Sequence, residues 1–236
     1  MRVSGPDART HLQNMVSNDV EALRVGDACP ALLLTAKARV VAPVVVLRRG
    51  EDDYLVLTEP DLGEQVRALL VRMRLRLQCE IEPEDHTSAV VFDGSGFPSD
   101  FASELLDPEL EPTIDADELE RRRIEARVPK WGRELDDRVL PAEAGLEETH
   151  ISFTKGCYPG QEPIARQHYR GKVNRGLRVV ELDEVPPYDA ELTWEGKVVG
   201  RVTSAVERPD GSVVALAYVR VEVPDDAPLE LARAAA

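Results

Sequence analysis

The chain has 236 residues, 43% of them hydrophobic, and its 29 basic and 44 acidic side chains give a formal net charge of −15. This composition is typical of an acidic globular protein with a sizeable core and excludes a disordered chain. It also argues against a general nucleic-acid-binding protein, because such binding needs a basic face toward the phosphates.

The cysteines and the apolar runs indicate where the protein resides. Cys29, Cys79 and Cys157 are odd in number, far apart and without a CxxC pair, which favours a reducing cytoplasm over a disulfide framework. The start "MRVSGPDAR" has no long apolar region, and the run from Val40 to Leu47 is too short to cross a bilayer. We therefore predict a cytoplasmic protein that does not enter a membrane.

The first half of the chain is predicted to alternate helices and strands. After a Gly-Pro-Asp turn, Ala8, Leu12, Met15 and Val16 share one face of a short amphipathic helix. The runs "ALLLTA", "VVAPVVVL" and "YLVLT" predict three strands. Pro43 in the second run indicates an edge strand or a bulge.

Further elements follow up to residue 132. Helical spacing in "DLGEQVRALLVRMRL" predicts a second helix, and "LQCEIE" and "SAVVFDG" predict strands. The glycine- and proline-rich residues 93–112 are interpreted as a connection or a much reduced insert. In "DADELERRRIEARVPKWG" we predict a helix with Asp115 as N-cap, Glu118 in a capping box and Pro129 as its stop.

The C-terminal part is predicted to be all β. Beyond Lys172, the valine-rich runs "KVNRGLRVVEL", "AELTWEG", "KVVGRVTSAVE" and "SVVALAYVRVEV" are separated by Gly, Pro and Asp turns. They favour a small β-barrel or sandwich. We expect an α+β domain at residues 1–174 and a C-terminal β-barrel at residues 175–236, with the alanine-rich end frayed.

The segment "TKGCYPGQEPIAR", residues 154–166, carries the candidate chemistry. Gly156 and Gly160 would permit backbone conformations closed to other residues, and Pro159 would stiffen the turn between them. A helix beginning near Gln161 would place its positive end close to the cysteine.

Cys157 is the candidate reactive group of this segment. The helix end and Lys155 would both favour its thiolate, the form required of a nucleophilic, redox or metal-binding cysteine. A lone cysteine is most often a buried small hydrophobe, and we prefer that structural reading for Cys29 and Cys79 among their apolar neighbours. For Cys157, the glycine, the tight turn and the charged neighbours favour function.

Histidines and metal ligands give weaker signals. His11, His86, His150 and His168 are available for a protease-like dyad, and their spacing singles out none of them. His168 lies among basic residues, where a surface histidine is the simpler interpretation. Three scattered cysteines do not form a four-thiolate iron-sulfur site, so we predict no metal site in this chain alone, and a shared or transient cluster stays open.

Several motifs resemble one known family. "KGCYPGQE" matches the signature Lys-Gly-Cys-aromatic-X-Gly-Gln-Glu of the YgfZ-type folate-binding proteins, and the similarity continues through "ARQHYRGKVNRGLR". "RIEARVPKWGRELDDRVLPAEAGL" resembles a stretch that these proteins share with the glycine-cleavage T-protein, an aminomethyltransferase. "VSGPDARTHLQNMVSNDV", "GRVTSAV" and "ALAYVR" are similar to the family's first motif and C-terminal module, so the resemblance covers most of the chain.

The resemblance implies a fold, a role and a set of partners. The implied fold is an α+β, aminomethyltransferase-like folate-binding fold with a small C-terminal β-barrel, shaped around a central cavity. The implied role is iron-sulfur cluster assembly or repair in support of tRNA-modifying and other iron-sulfur enzymes, rather than conventional catalysis. The implied cofactor is tetrahydrofolate or a derivative, and the implied partners are iron-sulfur enzymes or cluster-assembly proteins.

The resemblance also implies site residues. By position, Cys157 takes the place of the signature cysteine, and Lys155 joins it as a catalytic residue. The implied motif and cofactor-binding residues are Gly156, Tyr158, Gly160, Gln161, Glu162, Arg166 and Glu125.

Glu125, in "RIEA", falls where the glutamate of the T-protein holds the pterin ring. A carboxylate suits that task because a pterin edge presents adjacent N–H donors that it can accept as a charge-assisted pair. The alternative is an exposed glutamate paired with neighbouring arginines on a charged helix.

The sequence departs from the T-protein at its acidic pair. Where the T-protein has Gly-Gly-X-X-Asp-Asp, this chain has "ARVVAPVV", with Ala42 and Pro43 in the acidic positions. The chain therefore lacks, at these two positions, the acid that methylene transfer would use. Two alternatives stay open: a folate-dependent aminomethyl or one-carbon transferase with a carboxylate elsewhere, and an RNA-binding module that uses "ARQHYRGKVNRGLR" for direct tRNA binding.

Overall fold

The structure is a computed structural model that describes residues 1–99 and 102–232. Its strands are β1 (Arg2–Ser4), β2 (Ala28–Leu34), β3 (Val40–Arg48), β4 (Asp53–Leu57), β5 (Glu80–Glu82), β6 (Ser88–Val91), β7 (Phe97–Pro98), β8 (Ser103–Leu106), β9 (Arg175–Leu182), β10 (Glu191–Trp194), β11 (Lys197–Glu207), β12 (Val213–Arg220) and β13 (Glu230–Leu231). Its helices are α1 (Ala8–Met15), α2 (Gly63–Met73), α3 (Ala116–Glu125), α4 (Glu147–His150) and α5 (Gln161–Arg170), with a 3₁₀ turn at Pro60–Leu62. The predicted fraying falls on residues 233–236, outside the described residues.

The chain forms two compact units that interleave along the sequence. The first comprises residues 1–110 and 146–166, and the second comprises residues 111–145 and 167–236. Helix α3 belongs to the second unit because it packs against β11 and β12. The predicted boundary at residue 174 instead divides the chain consecutively. None of the helices in the described part of the chain is long and apolar enough to cross a membrane.

A five-stranded sheet in the order β2-β3-β4-β1-β5 organises the first unit. Strand β1 is interior and antiparallel to both neighbours, with Val3 opposite Tyr54 and Ile81. The sequence prediction missed β1, because three residues ahead of a Gly-Pro-Asp turn are too few to show a strand period. The predicted strands and the first two helices are confirmed, and Leu12 and Leu70 bury the apolar faces of α1 and α2.

The prediction of an edge or a bulge at Pro43 is confirmed for this residue but not for strand β3 as a whole. Strand β3 as a whole lies between β2 and β4, but β4 pairs with it only from Val45 onward. At Pro43 the carbonyl instead accepts a hydrogen bond from Thr58 Oγ1 at 2.8 Å. A register irregularity between β2 and β3 lies close by, at Leu33 and Leu34.

Residues 93–112, interpreted as a connection or a much reduced insert, contain two short strands and are therefore not a plain connection. Strands β7 and β8 join β6 in a three-stranded sheet of order β6-β8-β7. Gly96 explains the misleading composition, because it has φ +89° and a Cβ there would lie 2.2 Å from Glu104 O. This glycine allows two backbones to approach closely rather than marking a loop.

In the second unit, α3 begins as predicted. Asp115 accepts a hydrogen bond from the amide of Glu118 at 2.8 Å, and the carboxylate of Glu118 pairs with arginines instead of closing a reciprocal capping box. The helix ends at Glu125, ahead of the predicted stop at Pro129, and Arg127 follows with φ +57°.

The C-terminal part is β-rich, as predicted. Its strands form an antiparallel sheet in the order β13-β10-β11-β12-β9 around an apolar core that includes Leu192, Val202 and Val219. A buried polar cluster ties α3 to this sheet: Arg123 bonds Glu134 at 3.0 Å and Ser204 at 2.9 Å. Both charges of the cluster are paired, which burial requires.

Candidate functional site

Cys157 lies in the loop between α4 and α5, and its side chain is exposed. Helix α5 begins at Gln161, as predicted, and the amide of Gln161 donates to Tyr158 O at 3.2 Å. Tyr158, next to the cysteine, is buried. The loop therefore presents one side chain outward while its neighbour anchors it inward.

Lys155 is buried and points its ammonium group into the first unit. Its Nζ donates to three backbone carbonyls, those of Gln13 (2.6 Å), Val16 (2.6 Å) and Asn18 (2.8 Å). These bonds use all the donors of an ammonium group and hold the chain where α1 ends. Burial lowers the pKa of Lys155 to about 8.

This placement corrects the expected use of Lys155. The sequence prediction made it a positive charge beside the thiol, but its donors hold the backbone of the N-terminal segment instead. Its Nζ also lies 5.3 Å from the centre of the Tyr158 ring, within reach of a cation–π contact. We therefore assign Lys155 an anchoring role, and a part in catalysis stays a prediction.

Ser17 and Asn18 also hold the segment that leads into the loop. Ser17 Oγ donates to His150 O at 2.6 Å and accepts from Leu32 N at 2.8 Å. Asn18 Nδ2 donates to Thr149 O at 3.0 Å. Sequence reasoning missed both residues, although they belong to the "QNMVSND" part of the first motif. A polar run directly after an amphipathic helix face was the available signal.

The two glycines of the loop differ. Gly160 has φ +85°, and a Cβ there would lie 2.6 Å from Thr35 O, so the position requires glycine. Gly156 does not occupy the left-handed region, and no described atom lies within 4 Å of a Cβ built on it. Of the two glycines expected to permit a conformation closed to other residues, Gly160 therefore uses the left-handed one and Gly156 does not.

Among the remaining motif residues, Tyr158 is buried, whereas Glu162 and Arg166 are exposed. Burial raises the pKa of Tyr158 to about 12. Glu162 and Arg166 form an i,i+4 ion pair of 2.8 Å on α5, with side chains 84% and 71% exposed. That pair contributes little to stability. Both side chains are accessible to a ligand or partner.

The other two cysteines fit the structural reading. Burial raises the pKa of Cys29 to about 12, and it also raises the pKa of Cys79. Both therefore remain protonated near neutral pH. Cys157 is the exposed cysteine of the three. In the described part of the chain, no three or more His, Cys, Asp or Glu side chains are grouped so that they could hold a metal ion.

The histidines take structural or surface positions. His11 and His150 are buried, and His168 is exposed, as predicted, with its ring edge-on to Tyr169 at 4.9 Å. His86 lies between Asp107 at 2.5 Å and Glu84 at 2.7 Å. Hydrogen bonding to Asp107 and then to Glu84 raises the pKa of His86.

Glu125 is the last residue of α3, in the second unit. Its carboxylate accepts from Arg121 at 2.9 Å and from Arg208 at 3.0 Å, and its side chain is 34% exposed. The i,i+4 pair of the alternative interpretation is therefore present. A carboxylate has about four lone-pair positions, so Glu125 keeps acceptor capacity for the paired N–H donors of a pterin edge.

The positions of the missing acidic pair are apolar in the structure. Ala42 is fully buried in β3, opposite Leu33 of β2, and Pro43 lies opposite Leu32. These two positions provide no proton donor or acceptor on a side chain. Any acid for methylene transfer must come from elsewhere in the chain.

The fold has a known counterpart. The glycine cleavage system aminomethyltransferase T from Bartonella henselae superimposes with a TM-score of 0.76, covering 94% of this chain and 75% of that structure at 16% sequence identity. The α+β architecture with a β-rich C-terminal part is thus the aminomethyltransferase-like fold. Residues 1–92 match the family model of the GCVT N-terminal domain.

Sequence relatives agree with this fold. An uncharacterized protein of Haemophilus influenzae is 25% identical, over 87% of this chain and 81% of its own length. An aminomethyltransferase of Shouchella clausii is 24% identical, over 88% of this chain and 72% of its length. The tRNA-modifying protein YgfZ of Yersinia pestis is 32% identical, over 46% of this chain and 35% of its length. These matches confirm the resemblance to the YgfZ and aminomethyltransferase proteins.

Proposed function

We propose that this protein is a folate-binding accessory protein for iron-sulfur cluster assembly or repair, with Cys157 as its functional thiolate. The observation that carries the proposal is an exposed cysteine between two anchored neighbours, Lys155 and Gly160. A thiol on such a fixed loop reaches a partner at little entropic cost. Its clients would be tRNA-modifying and other iron-sulfur enzymes, as the similarity to YgfZ suggests.

The cofactor in this proposal is tetrahydrofolate or a derivative, which when bound supplies a carrier for one-carbon groups. Glu125 would hold the pterin edge through the acceptor capacity left by its two arginine partners. The open space at Gly156 lets a ligand or partner approach the loop backbone. Because Ala42 and Pro43 offer no carboxyl group, binding rather than turnover is the proposed use of folate.

The role of the Cys157 thiol is tested in cells whose own gene for this protein is replaced by a gene for a variant. We expect Cys157→Ala to lower the activity of iron-sulfur enzymes, including tRNA-thiolating ones, to the level of the deletion. Cys29→Ala is the matched control, since it removes a thiol whose pKa burial raises to about 12. Full activity with Cys157→Ala would remove the thiol from the mechanism.

The folate part has its own measurement. Calorimetric titration with tetrahydrofolate should give unchanged affinity for Cys157→Ala and weaker affinity for Glu125→Gln. Glu64→Gln, which likewise removes one carboxylate from an ion pair with an arginine, is the control for a general charge effect. Equal affinity of Glu125→Gln and the wild type would exclude Glu125 from the folate site.

The second candidate is a folate-dependent aminomethyl or one-carbon transferase. It is favoured by the 24% identity to the aminomethyltransferase of Shouchella clausii over 88% of this chain. Folate-dependent turnover of an aminomethyl donor that survives Cys157→Ala would favour this candidate.

The third alternative is direct tRNA binding through the exposed Arg170 and Lys172. It predicts an association with tRNA that weakens steeply as the salt concentration rises.

A further inference from the structure

A cleft of about 580 Å³ opens in the first unit beside the cysteine loop. One face of α2 lines it with Ala68, Leu69, Arg72 and Met73, while Thr35 and Pro159 contribute from the turn after β2 and from the loop. The α2 residues recur at helical spacing and so form one continuous wall. Pockets that hold small molecules have volumes of roughly 300 to 1,000 Å³.

The cleft is mostly apolar. Met15 and Leu34 line it and are themselves only 5% and 4% exposed, so they close its inner end. Met73 is 39% exposed and Ala68 is exposed, so the wall formed by α2 is open to solvent. Burying this apolar surface under a ligand is favourable in proportion to the area covered.

One charge distinguishes the cleft from an ordinary apolar depression. Arg72 is exposed and, among the described residues, it makes no ion pair or side-chain hydrogen bond. Arg67, on the same helix, is instead paired with Glu64 at 2.8 Å. In a chain with 44 acidic and 29 basic residues, an unpaired guanidinium beside an apolar cleft favours an anionic ligand.

We propose that this cleft binds a small amphiphilic acid, with an apolar ring or chain against Met15, Leu34 and Leu69 and its anionic group at Arg72. The volume of the cleft, its apolar lining and the guanidinium of Arg72 together define this ligand class. The site uses neither Cys157 nor Glu125. It therefore goes beyond the proposed function and stands or falls independently of it.

The probe for the test is 8-anilinonaphthalene-1-sulfonate, which combines an apolar ring system with one anion. Fluorescence titration of the full chain should show a single site. Ala68→Phe, which fills the cleft from α2, should weaken binding by at least about tenfold. Ala36→Phe fills it from the turn after β2 and replaces Ala68→Phe if that variant loses its circular dichroism spectrum.

The charge is tested with a pair of probes. Arg72→Gln should weaken binding of the sulfonate about fivefold and leave the neutral N-phenyl-1-naphthylamine unaffected. Arg67→Gln, which breaks the neighbouring ion pair, should change neither affinity. Sulfonate binding that survives a filled and folded cleft, or an Arg72→Gln variant that loses both probes equally or neither, would overturn the proposal.

Discussion

The backbone of the loop around Cys157 and the side chain of Glu125 on α3 are held in place by different means. Lys155 donates to carbonyls of residues 13–18, and Gly160 lies so close to Thr35 that a Cβ would meet the carbonyl oxygen of that residue, far away in sequence. Glu125 pairs with Arg121, one turn away on its own helix, and with Arg208 at the surface. Long-range buried anchors fix a backbone firmly, whereas exposed ion pairs leave a side chain free to exchange partners. We infer that the loop supplies a fixed thiol and the helix an adjustable carboxylate.

The largest effect should come from removing the buried anchor. Lys155→Met leaves three carbonyls without their donor, and we expect a loss of about 3 kcal/mol in the free energy of unfolding. Urea denaturation measures the loss, with Lys172→Met, a change at an exposed lysine, as the control. Equal stability of the two variants would mean that Lys155 does not anchor the loop.

The second effect concerns the turn at Gly160. An alanine there would meet Thr35 O at 2.6 Å while holding φ +85°, and we expect a loss of about 2 kcal/mol. Gly156→Ala has open space and should leave the free energy of unfolding nearly unchanged. If both alanines are tolerated in denaturation experiments, the loop is less tightly held than its contacts indicate.

A smaller, pH-dependent effect is expected from His86. Hydrogen bonds to Asp107 and Glu84 raise the pKa of His86 above its ordinary value of 6.5, so the folded protein binds this proton more tightly than the unfolded chain. The stabilisation is complete below pH 6.5 and is lost as the pH rises through the raised value. Thermal midpoints of wild type and His86→Gln, measured from pH 5 to 9, should converge at the alkaline end. A constant gap would contradict this account.

The smallest effect should come from Glu125. Because its partners are partly exposed arginines, Glu125→Gln should lower stability slightly, less than any variant above, and the loss should shrink further in high salt. Denaturation at low and high ionic strength checks this. A large, salt-independent loss would show that Glu125 is an anchor like Lys155, and the contrast between loop and helix would fail.

Some features of the site could be predicted because their causes are local. The N-cap Asp115, the start of α5 at Gln161 and the full extent of β11 follow from side-chain patterns within one element. The contrast between Cys157 and the buried Cys79 is also readable from immediate neighbours. The absence of the acidic pair at Ala42 and Pro43 could be recognised from the sequence motif alone.

The sequence by itself therefore determined α1, α2, α3 and α5, most strands and the cysteine to examine, because hydrophobic period, capping and turn chemistry act over a few residues. The four-residue α4 was not predicted, since it is too short to show a helical period. Only the tertiary structure decided that Lys155 reaches the carbonyls of residues 13–18, that Gly160 rather than Gly156 needs to be glycine, and that β1 lies inside its sheet. Those outcomes depend on which distant backbone packs against each residue. No local pattern encodes which distant backbone Lys155 reaches, so its anchoring role appears only in the structure, while its part in catalysis stays a prediction.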